Sequence, residues 1–493
     1  MELLLNNSLT NKLENFDHDK NEPIKWYTCG PTIYDSAHMG HARTFMTFDI
    51  IRRVLTYLGY NITYVMNITD IDDKIINKVK EQSHDNIVSM ENYSKFIKSM
   101  EKDFWEDMDN LNILRPTVTT RVTEYIEPMI KYIEIIDKND MCYPLHGSVY
   151  LDSAKFKDKN FKLDIFNRGN ETEFTTCEFS SEKKNNGDFA LWKAYKEGEG
   201  EIWYNSKWGK GRPGWHLECS VMSHFILGYK IDIHSGGIDL IHPHHTNEIL
   251  QTMAHSNCKD IPIKLFLHSG HLNIDGTKMS KSLKNFITIK DYLQNIGTQQ
   301  QLRLLFLTHS WYKSMDFSSN SLENTKKIEK TIKDFYSNME SLFRTGNFTS
   351  TNYDEKERQL NESFLKIERN VEKNLYNNIE TKLVIEELLS GINITYKYLE
   401  NNKDPVNLNI VKHFFDFMNK IFNMLGIDFL INKNIKNDSE KFITLLVGQR
   451  EEIRNFIKEN REIIPPELLS KLFGMVDDLR AKLKPFISIK DRK

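Results

Sequence analysis

Near its start the chain reads IKWYTCGP (residues 24–31), HMGHARTFMTFDIIRRVL (residues 38–55) and NITYVMN (residues 61–67). The first and third segments are short apolar runs typical of buried strands, and Gly30-Pro31 ends the first. The second has apolar residues at helical spacing, and Gly59 ends the helix that this spacing predicts. Strand, helix and strand in this order build a parallel, doubly wound α/β sheet. Ligands of such sheets bind at the carboxyl ends of the strands, so we expect a site at that edge.

The later parts of the chain divide into further regions. Residues from about 115 to 200 break the pattern with a helix, a hairpin-like stretch and a polar run, and we interpret them as an insertion between two halves of the sheet. The second half contains predicted strands over 230–234 and 264–268, a Gly236-Gly237 turn, and a helix from Pro243. From about residue 319 the apolar residues recur at helical spacing only, which predicts an all-α bundle.

The predicted fold is therefore a split Rossmann-like α/β domain with an inserted domain, followed by a helical bundle. The predicted regions are an N-terminal segment (1–21), the first half of the α/β domain (22–114), the insertion (115–200), the second half (201–318) and the helical domain (319–493).

Length and composition exclude several classes of protein. The chain has 493 residues, more than the roughly 250–300 that one hydrophobic core organises. No apolar run approaches the ~18 residues of a membrane-spanning helix, and the first residues show no targeting pattern, so we predict a cytoplasmic protein without a membrane partner. Five scattered cysteines indicate a reducing compartment. The balance of 66 Lys and Arg against 69 Asp and Glu neither predicts nor excludes a nucleic-acid partner.

Histidine is concentrated in one part of the chain. Nine of the sixteen histidines lie between residues 216 and 271, namely His216, His224, His234, His242, His244, His245, His255, His268 and His271. His244 and Glu248 are four positions apart on a predicted helix, which places their side chains on one face and suits a shared metal. Cys29 and Cys219 are attractive thiolates to complete a zinc site. The alternative is that the four residues are unrelated and that each cysteine is a small buried apolar residue.

Two imidazoles flank a glycine in His38-Met39-Gly40-His41, directly before the first predicted helix. Gly40 permits close approach of a ligand to the backbone, and the helix start offers free N–H groups at the positive end of the helix dipole. These features favour an anion site in which His38 and His41 donate to phosphate oxygens. A short motif of this kind also occurs with a purely structural role.

A loop rich in lysine and serine, DGTKMSKS (residues 275–282), follows the predicted strand over 264–268. Its lysines, Lys278 and Lys281, are three positions apart. Mobile lysines in such a loop are suited to clamp a leaving polyphosphate. A solvated surface loop is the alternative interpretation.

The HMGH motif near the start and the KMSKS motif well after it, in this order on a split sheet, resemble the paired signature of class I aminoacyl-tRNA synthetases. The chain resembles the cysteinyl-tRNA synthetase family in particular, densely over residues 22–320. The matching blocks are TCGPTIYD (28–35), HMGH (38–41), NITDIDDK (67–74), GDFALWK (187–193), GRPGWHLECS (211–220), GGID (236–239), HPHHTNE (242–248) and KMSKS (278–282). Two positions depart from the usual pattern, since Thr246 replaces an acidic residue and Met39 stands where isoleucine is commoner. Neither departure removes a predicted ligand.

The resemblance implies one zinc ion per chain, bound by Cys29, Cys219, His244 and Glu248, which would hold the thiolate of a substrate cysteine. Zinc discriminates between cysteine and serine, because a soft thiolate binds the ion better than a hydroxyl does at neutral pH. His245 competes with His244 as the imidazole ligand, since it lies three positions from Glu248.

Further residues of the pocket are also implied by the resemblance. Thr69 and Trp215, with Cys29, would contact the substrate cysteine, and Gly236 and Asp239 would face the nucleotide. The alternatives are that Trp215 belongs to the core and that Asp239 caps a helix.

The implied reaction is ATP-dependent activation of L-cysteine to cysteinyl-adenylate, followed by transfer to the terminal adenosine of tRNA(Cys). His38 and His41 would lie below the phosphates of ATP, Lys278 and Lys281 above them, and Mg²⁺ would accompany the ATP. The helical domain would bind the anticodon stem-loop, and we expect a monomer. Two other functions remain open: a cysteine ligase that acts on a small amine, and a catalytically silent RNA-binding relative.

Overall fold

The computed structural model describes residues 1–83, 88–159, 161, 165–166, 183–278, 285–345, 353–401, 406–430, 437–461 and 463–483. Lys281 with its neighbours in the lysine loop, and Cys177, which is one of the five cysteines, lie outside the described residues.

The elements up to residue 158 are β1 (Leu4–Asn7), β2 (Lys12–Asn15), β3 (Ile24–Thr28), α1 (Met39–Tyr57), β4 (Ile62–Ile68), α2 (Asp73–Gln82), α3 (Met90–Asn110), β5 (Val118–Arg121), α4 (Ile126–Lys138), β6 (Cys142–Leu145), β7 (Ser148–Leu151) and α5 (Ser153–Asp158). Those from 189 to 317 are β8 (Phe189–Ala194), β9 (Tyr204–Ser206), β10 (Gly209–Pro213), α6 (Trp215–Leu227), β11 (Ile231–Gly237), α7 (Thr246–Ser256), β12 (Ile263–Ser269), β13 (Leu272–Ile274), β14 (Thr277–Lys278), α8 (Ile289–Asn295), α9 (Gln299–Leu307) and β15 (Met315–Phe317). The remaining helices are α10 (Ser319–Thr345), α11 (Glu355–Tyr376), α12 (Thr381–Asn401), α13 (Leu408–Met424), α14 (Asn437–Glu459) and α15 (Pro466–Leu483).

A five-stranded parallel sheet positions the site. Its strand order is β12-β11-β3-β4-β5, with every neighbouring pair parallel. From β3 the chain builds outward to β4 and β5, and from β11 it builds outward to β12 on the other side. The predicted doubly wound sheet is therefore confirmed, and its topological switch point lies between β3 and β11, where such sheets bind ligands. The Gly236-Gly237 pair, predicted as a turn, instead completes β11, because the backbone continues its pairing with β12.

Helix α1 connects the first two strands of this sheet and buries one long apolar face. Phe45, Phe48, Ile51 and Leu55 are all buried on it. Their spacing of three or four positions places them on the side that faces the sheet. The chain then turns at Gly59, whose φ of 91° is a left-handed conformation that favours glycine. The amino end of α1 thereby points to the switch point.

A second, antiparallel sheet has the strand order β6-β7-β8-β10-β9 and forms the body of the insertion. The residues of this sheet do not coincide with the predicted insertion over 115–200. Strand β5 belongs to the parallel sheet, since it pairs with β4, and β9 and β10 lie beyond residue 200. The membership of β5 could not be predicted, because a strand of four residues is too short for its alternation to show which sheet it joins.

The chain divides into two compact units, one of Met1–Thr325 with Asn370–Ile385, the other of Lys326–Arg369 with Glu386–Lys493. The first unit contains both five-stranded sheets. Its second segment is bound to its first: the indole Nε1–H of Trp311 donates to the carbonyl of Asn378 (2.8 Å), and the Thr381 hydroxyl donates to the carbonyl of Leu307 (2.9 Å). A boundary at residue 319 therefore does not separate the helical part from the rest.

The second unit is helical in the residues described, and aromatic side chains form much of its core. Phe364 stacks on Phe414 with ring centroids 4.5 Å apart, and Phe335 packs beside them. Gly391 is required inside α12, because a Cβ there would lie 2.1 Å from the Phe414 ring. Within the described residues of the whole chain, no helix is both long enough and apolar enough to cross a bilayer.

Candidate functional site

A pocket of about 540 Å³ opens at the carboxyl ends of the central strands. Most of the predicted site residues line it, namely Cys29, His38, His41, Thr69, Trp215, Cys219, Asp239 and His244. Cys29 follows β3, and Cys219 lies on α6. The two histidines of the HMGH motif lie at the start of α1, and Thr69 follows β4. The parallel pairing of β11, β3 and β4 thus brings together residues that are far apart in the sequence.

Four predicted metal ligands lie together at the base of this pocket. One donor atom from each of Cys29, Cys219, His244 and Glu248 lies within 4.8 Å of all the others, and all four side chains are buried. His244 Nε2 is 3.1 Å from Glu248 Oε1, and Cys29 Sγ is 3.4 Å from the same oxygen. His244 lies in the turn Ile241–His245 that leads into α7 rather than in the helix itself. Two sulfurs, one nitrogen and one carboxylate oxygen form a donor set that suits a four-coordinate metal.

A second donor group shares two of these residues. Cys29, His234, His245 and Glu248 also place one donor atom each within 4.8 Å of the others. His234 Nε2 lies 3.3 Å from Glu248 Oε2, whereas His245 Nε2 lies 4.0 Å from Oε1. His245 thus belongs to a different group from His244 and does not simply substitute for it.

The protonation of the first group suits a metal. Burial lowers the pKa of His244 to about 3, so its ring is neutral at pH 7 and keeps a lone pair for a cation. Nδ1 of His244 lies 2.9 Å from Nδ1 of His216. If His244 donates in this contact, its Nδ1 carries the hydrogen, and its Nε2 is left as the ligand atom. Burial also raises the pKa of the Cys29 thiol well above its usual range. A thiolate there therefore needs a bound cation to stabilise its charge.

The HMGH motif also lines the pocket. His38 caps α1, because its Nδ1 accepts from the backbone N–H of Gly40 at 3.1 Å and of His41 at 3.4 Å. In return, Nδ1 of His41 accepts from the N–H of His38 at 3.3 Å, and the two rings stack with centroids 3.9 Å apart. Burial lowers the pKa to about 4 for His38 and to about 3 for His41. Both rings are therefore neutral at pH 7, and each has Nε2–H left as a donor.

The structure also bears on the less certain pocket residues. Trp215 is 37% exposed and its ring lies 4.4 Å from that of His244, so it is a wall of the pocket rather than a core residue. Asp239 lies in the short turn Ile238–Leu240 and lines the pocket. Of the Gly236-Gly237 pair, Gly237 lines the pocket, whereas Gly236 packs against His245, where a Cβ would lie 3.1 Å from Nε2. The role predicted for Gly236 toward the nucleotide stays a prediction.

Two buried polar residues escaped the sequence analysis: Asn67, which lines the pocket, and Glu218, which contacts the pocket residue Thr69. Asn67 at the end of β4 accepts from the N–H of Gly30 at 2.8 Å, and a Cβ at Gly30 would lie only 1.7 Å from the Asn67 carbonyl oxygen. Glu218 on α6 is 1% exposed and accepts from the Thr69 hydroxyl at 3.1 Å. Burial, together with the acidic groups of Cys219, Asp72 and Asp70, raises its pKa well above the usual range. The signal that could have revealed Glu218 is that it is an acidic residue among Leu217, Cys219 and Val221, which are buried.

Of the lysine loop, the described part is the short strand β14, which ends at Lys278 and pairs with β13. The hairpin of β13 and β14 starts from Leu272, a residue of the pocket wall. The roles of Lys278 and Lys281 therefore stay predictions.

Comparisons with known proteins identify the family. Residues 15–327 match the family described as tRNA synthetases class I (C) catalytic domain. A protein of Dictyostelium discoideum named "Cysteine--tRNA ligase, cytoplasmic" is 39% identical, with 99% of this chain and 76% of the relative aligned. A "Cysteine--tRNA ligase" of Encephalitozoon cuniculi is also 39% identical, over 98% of this chain and 96% of the relative. The Homo sapiens "Cysteine--tRNA ligase, cytoplasmic" is 32% identical over 99% of this chain and 80% of the relative.

Solved structures of other class I enzymes share the fold at low identity. Methionyl-tRNA synthetase of Mycobacterium tuberculosis bound by methionyl-adenylate has a TM-score of 0.61 at 12% identity, covering 82% of this chain and 92% of that one. Arginyl-tRNA synthetase of Thermus thermophilus has a TM-score of 0.52 at 11% identity, covering 84% of both chains. The fold, the ordered motifs and the near full-length relatives agree, and the chain belongs to the cysteine--tRNA ligase family of class I tRNA synthetases.

Proposed function

We propose that the chain activates L-cysteine with ATP and transfers the cysteinyl group to the 3′ end of tRNA(Cys). The observation that supports this most directly is that a cluster of thiol, imidazole and carboxylate donors and the HMGH motif line one pocket at the switch point of the sheet. The pocket can therefore hold a thiol substrate and a nucleoside triphosphate side by side. Two of the relatives above are named cytoplasmic, and we propose the same location for this chain.

In the first step, a carboxylate oxygen of cysteine attacks the α-phosphorus of ATP. The new P–O bond gives cysteinyl-adenylate, the α–β phosphoanhydride bond breaks, and pyrophosphate leaves with its electron pair. His38 and His41 contribute as neutral Nε2–H donors to the phosphate oxygens, and the free N–H groups at the start of α1 add to them. In the second step a ribose hydroxyl of the terminal adenosine attacks the cysteinyl carbonyl carbon and forms the ester bond. The bond between that carbon and the phosphate oxygen breaks, the hydroxyl proton passes to the departing phosphate, and AMP leaves.

We further propose that Cys29, Cys219, His244 and Glu248 hold zinc and that ATP binds together with Mg²⁺. Zinc there would supply a soft cation that binds the side-chain thiolate of cysteine far better than the hydroxyl of serine. Trp215 and Thr69 would enclose and orient the rest of the amino acid, because both line the pocket beside this group. Asp239 and Gly237 would face the nucleotide from the end of β11.

The direct test of the function uses purified full-length protein. We expect cysteine-dependent exchange of pyrophosphate into ATP, no exchange with serine, and charging of tRNA(Cys) by the same preparation. Exchange without any charging of tRNA would favour a cysteine ligase that acts on a small amine. Absence of both reactions would indicate a catalytically silent relative.

Replacing Lys281 by alanine is expected to slow adenylate formation by about 10²-fold with little change in cysteine affinity. The reason is that the lysine's charge matters most when negative charge builds up on the transferring phosphate. Single-turnover kinetics and cysteine binding, measured on the same variant, provide the check. Lys264→Ala is the matched control, because that lysine lies on β12 with its ammonium beside the Phe16 ring. Equal loss of cysteine affinity with an unchanged chemical rate would assign the loop another role.

A further inference from the structure

We propose that the ammonium group of Lys74 binds the last phosphodiester of tRNA(Cys), the one that joins the terminal adenosine to the preceding nucleotide. This inference rests on the proposed function and adds a contact for the second substrate in the same pocket. Lys74 lies in the first turn of α2, is exposed, and lines the pocket. Among the described residues that line the pocket, no other is a lysine or an arginine.

The acidic residues next to Lys74 in the chain have other partners. Asp72 caps α2, because its Oδ1 accepts from the backbone N–H of Lys74 at 2.9 Å. Asp73 forms ion pairs with Lys193, at 3.1 Å, and with Arg212. The Lys74 ammonium forms no ion pair with a carboxylate of the described residues and lies 5.3 Å from the centre of the Tyr34 ring. Its charge is therefore available to an anion that enters the pocket.

The topology places Lys74 away from the proposed nucleotide side of the pocket. The HMGH motif follows β3, and Asp239 follows β11, the neighbour of β3. Lys74 follows β4, which lies on the other side of β3 from β11. The ion pairs of Asp73 with Lys193 on β8 and Arg212 on β10 also hold the start of α2 beside the inserted sheet. Lys74 thus lies where the pocket meets the inserted sheet.

The reaction brings three kinds of anion into the pocket: the carboxylate of cysteine, the phosphates of ATP and the last phosphodiester of the tRNA. The carboxylate attacks the α-phosphorus, so these two groups must meet at the start of α1, where the HMGH motif lies. The phosphodiester is the anion that remains for Lys74. A lysine pairs with a phosphate as a point charge and positions the strand without reading a base. Holding this phosphate would orient the ribose whose hydroxyl attacks the cysteinyl carbonyl.

The test replaces Lys74 by methionine in the full chain and measures the two steps separately. Pyrophosphate exchange should stay within about threefold of the wild type. Transfer from preformed cysteinyl-adenylate to tRNA(Cys) should slow by about 10- to 100-fold in single-turnover experiments with limiting tRNA. The slope of the logarithm of this transfer rate against the logarithm of salt concentration should become shallower by about 0.7, the value for one phosphate of a single strand. Lys74→Arg keeps the charge and should recover most of the rate.

The matched control is Lys78→Met, one turn further along α2. Lys78 lies 3.4 Å from Glu81 and is not among the residues that line the pocket. We expect this variant to keep the rates of both steps within about threefold. A loss of transfer as large as that of Lys74→Met would assign the effect to the general charge of α2 and overturn the inference.

Modified tRNA identifies the phosphate. A methylphosphonate is uncharged, and tRNA(Cys) that carries one in place of the last phosphodiester should be charged by wild-type protein as slowly as normal tRNA is by Lys74→Met. The two changes together should cost no more than either alone, because they remove one contact. A methylphosphonate one nucleotide earlier should affect wild type and variant by the same factor.

Several results would contradict the inference. Exchange that slows as much as transfer in Lys74→Met would assign the lysine to ATP. Unchanged transfer, fully additive losses, or non-additivity only with the earlier methylphosphonate would equally overturn it. If Lys74→Met fails to fold, wild-type protein that tolerates the last methylphosphonate overturns it alone. Failure of the proposed function would show separately, as wild-type protein that neither exchanges pyrophosphate nor charges unmodified tRNA.

Discussion

Protein that carries Cys219→Ser together with His244→Ala is expected to lose its zinc and about 10³-fold or more of its kcat/KM for cysteine activation. The two residues supply half of the four donor atoms that meet at the base of the pocket. The remaining cysteine and glutamate do not complete a tetrahedral site. Without the metal, the binding energy of the substrate thiolate is no longer available to the transition state. Elemental analysis and pyrophosphate exchange on the same preparation measure both losses.

The second donor group makes this experiment decisive about where the metal lies. Neither Cys219 nor His244 belongs to that group, so a metal bound by Cys29, His234, His245 and Glu248 would be retained in full by the double variant. Full retention would contradict the proposed ligands. The reciprocal variant, with His234→Ala and His245→Ala, should then lose the metal instead. Cys142→Ser is the matched control, since that thiol lies on β6 near Asp137 and outside both groups.

Removal of the second unit is expected to spare cysteine activation and to reduce charging of tRNA by about 10²-fold or more. The reason is that every residue assigned to the amino acid, ATP or metal lies in the first unit. The variant must keep both segments of that unit, so it joins residue 325 to residue 370 through a flexible linker and ends at residue 385. Exchange and aminoacylation assays on this one preparation give the comparison.

The control for this variant ends the chain at residue 325 and so also removes the segment Asn370–Ile385. It leaves the Trp311 indole and the Leu307 carbonyl without their partners, and we expect it to be unstable. Equal retention of exchange and charging in the linked variant would show that the second unit does not contribute to tRNA recognition. A small-amine ligase would then be the better interpretation.

The parallel sheet could be predicted because its signals are local. Residues 24–67 show strand, helix and strand by apolar spacing alone, and the chain folds them in that way. Of the metal group, spacing predicts only the pair of His244 and Glu248, which lie one turn apart. The approach of Cys29 and Cys219 depends on the pairing of β3 with β11 across the inserted sheet, which no local pattern encodes. For these two residues the sequence alone left open whether they join the metal group, and the resemblance to the family supplied the assignment.

The rest of the site could not be predicted for the same reason. The contact of Glu218 with Thr69 joins residues separated by 149 positions, and His234 reaches Glu248 from the middle of a strand. Residues 370–385 have the helical spacing of their neighbours, so nothing local shows that they belong to the first unit. A periodic pattern predicts that one face of a helix or strand is buried, but it does not identify the element against which that face packs.

The return of Asn370–Ile385 to the first unit has a consequence for synthesis of the protein. A ribosome that has produced Thr325 has not yet produced the residues that bind Trp311 and Leu307. At a typical elongation rate of about 5–20 residues per second, the nascent chain waits several seconds for them. During that interval the Trp311 indole and the Leu307 carbonyl lack the partners that they have in the folded chain. The amino-terminal catalytic region therefore cannot complete its folding before the first helices of the second unit have been translated.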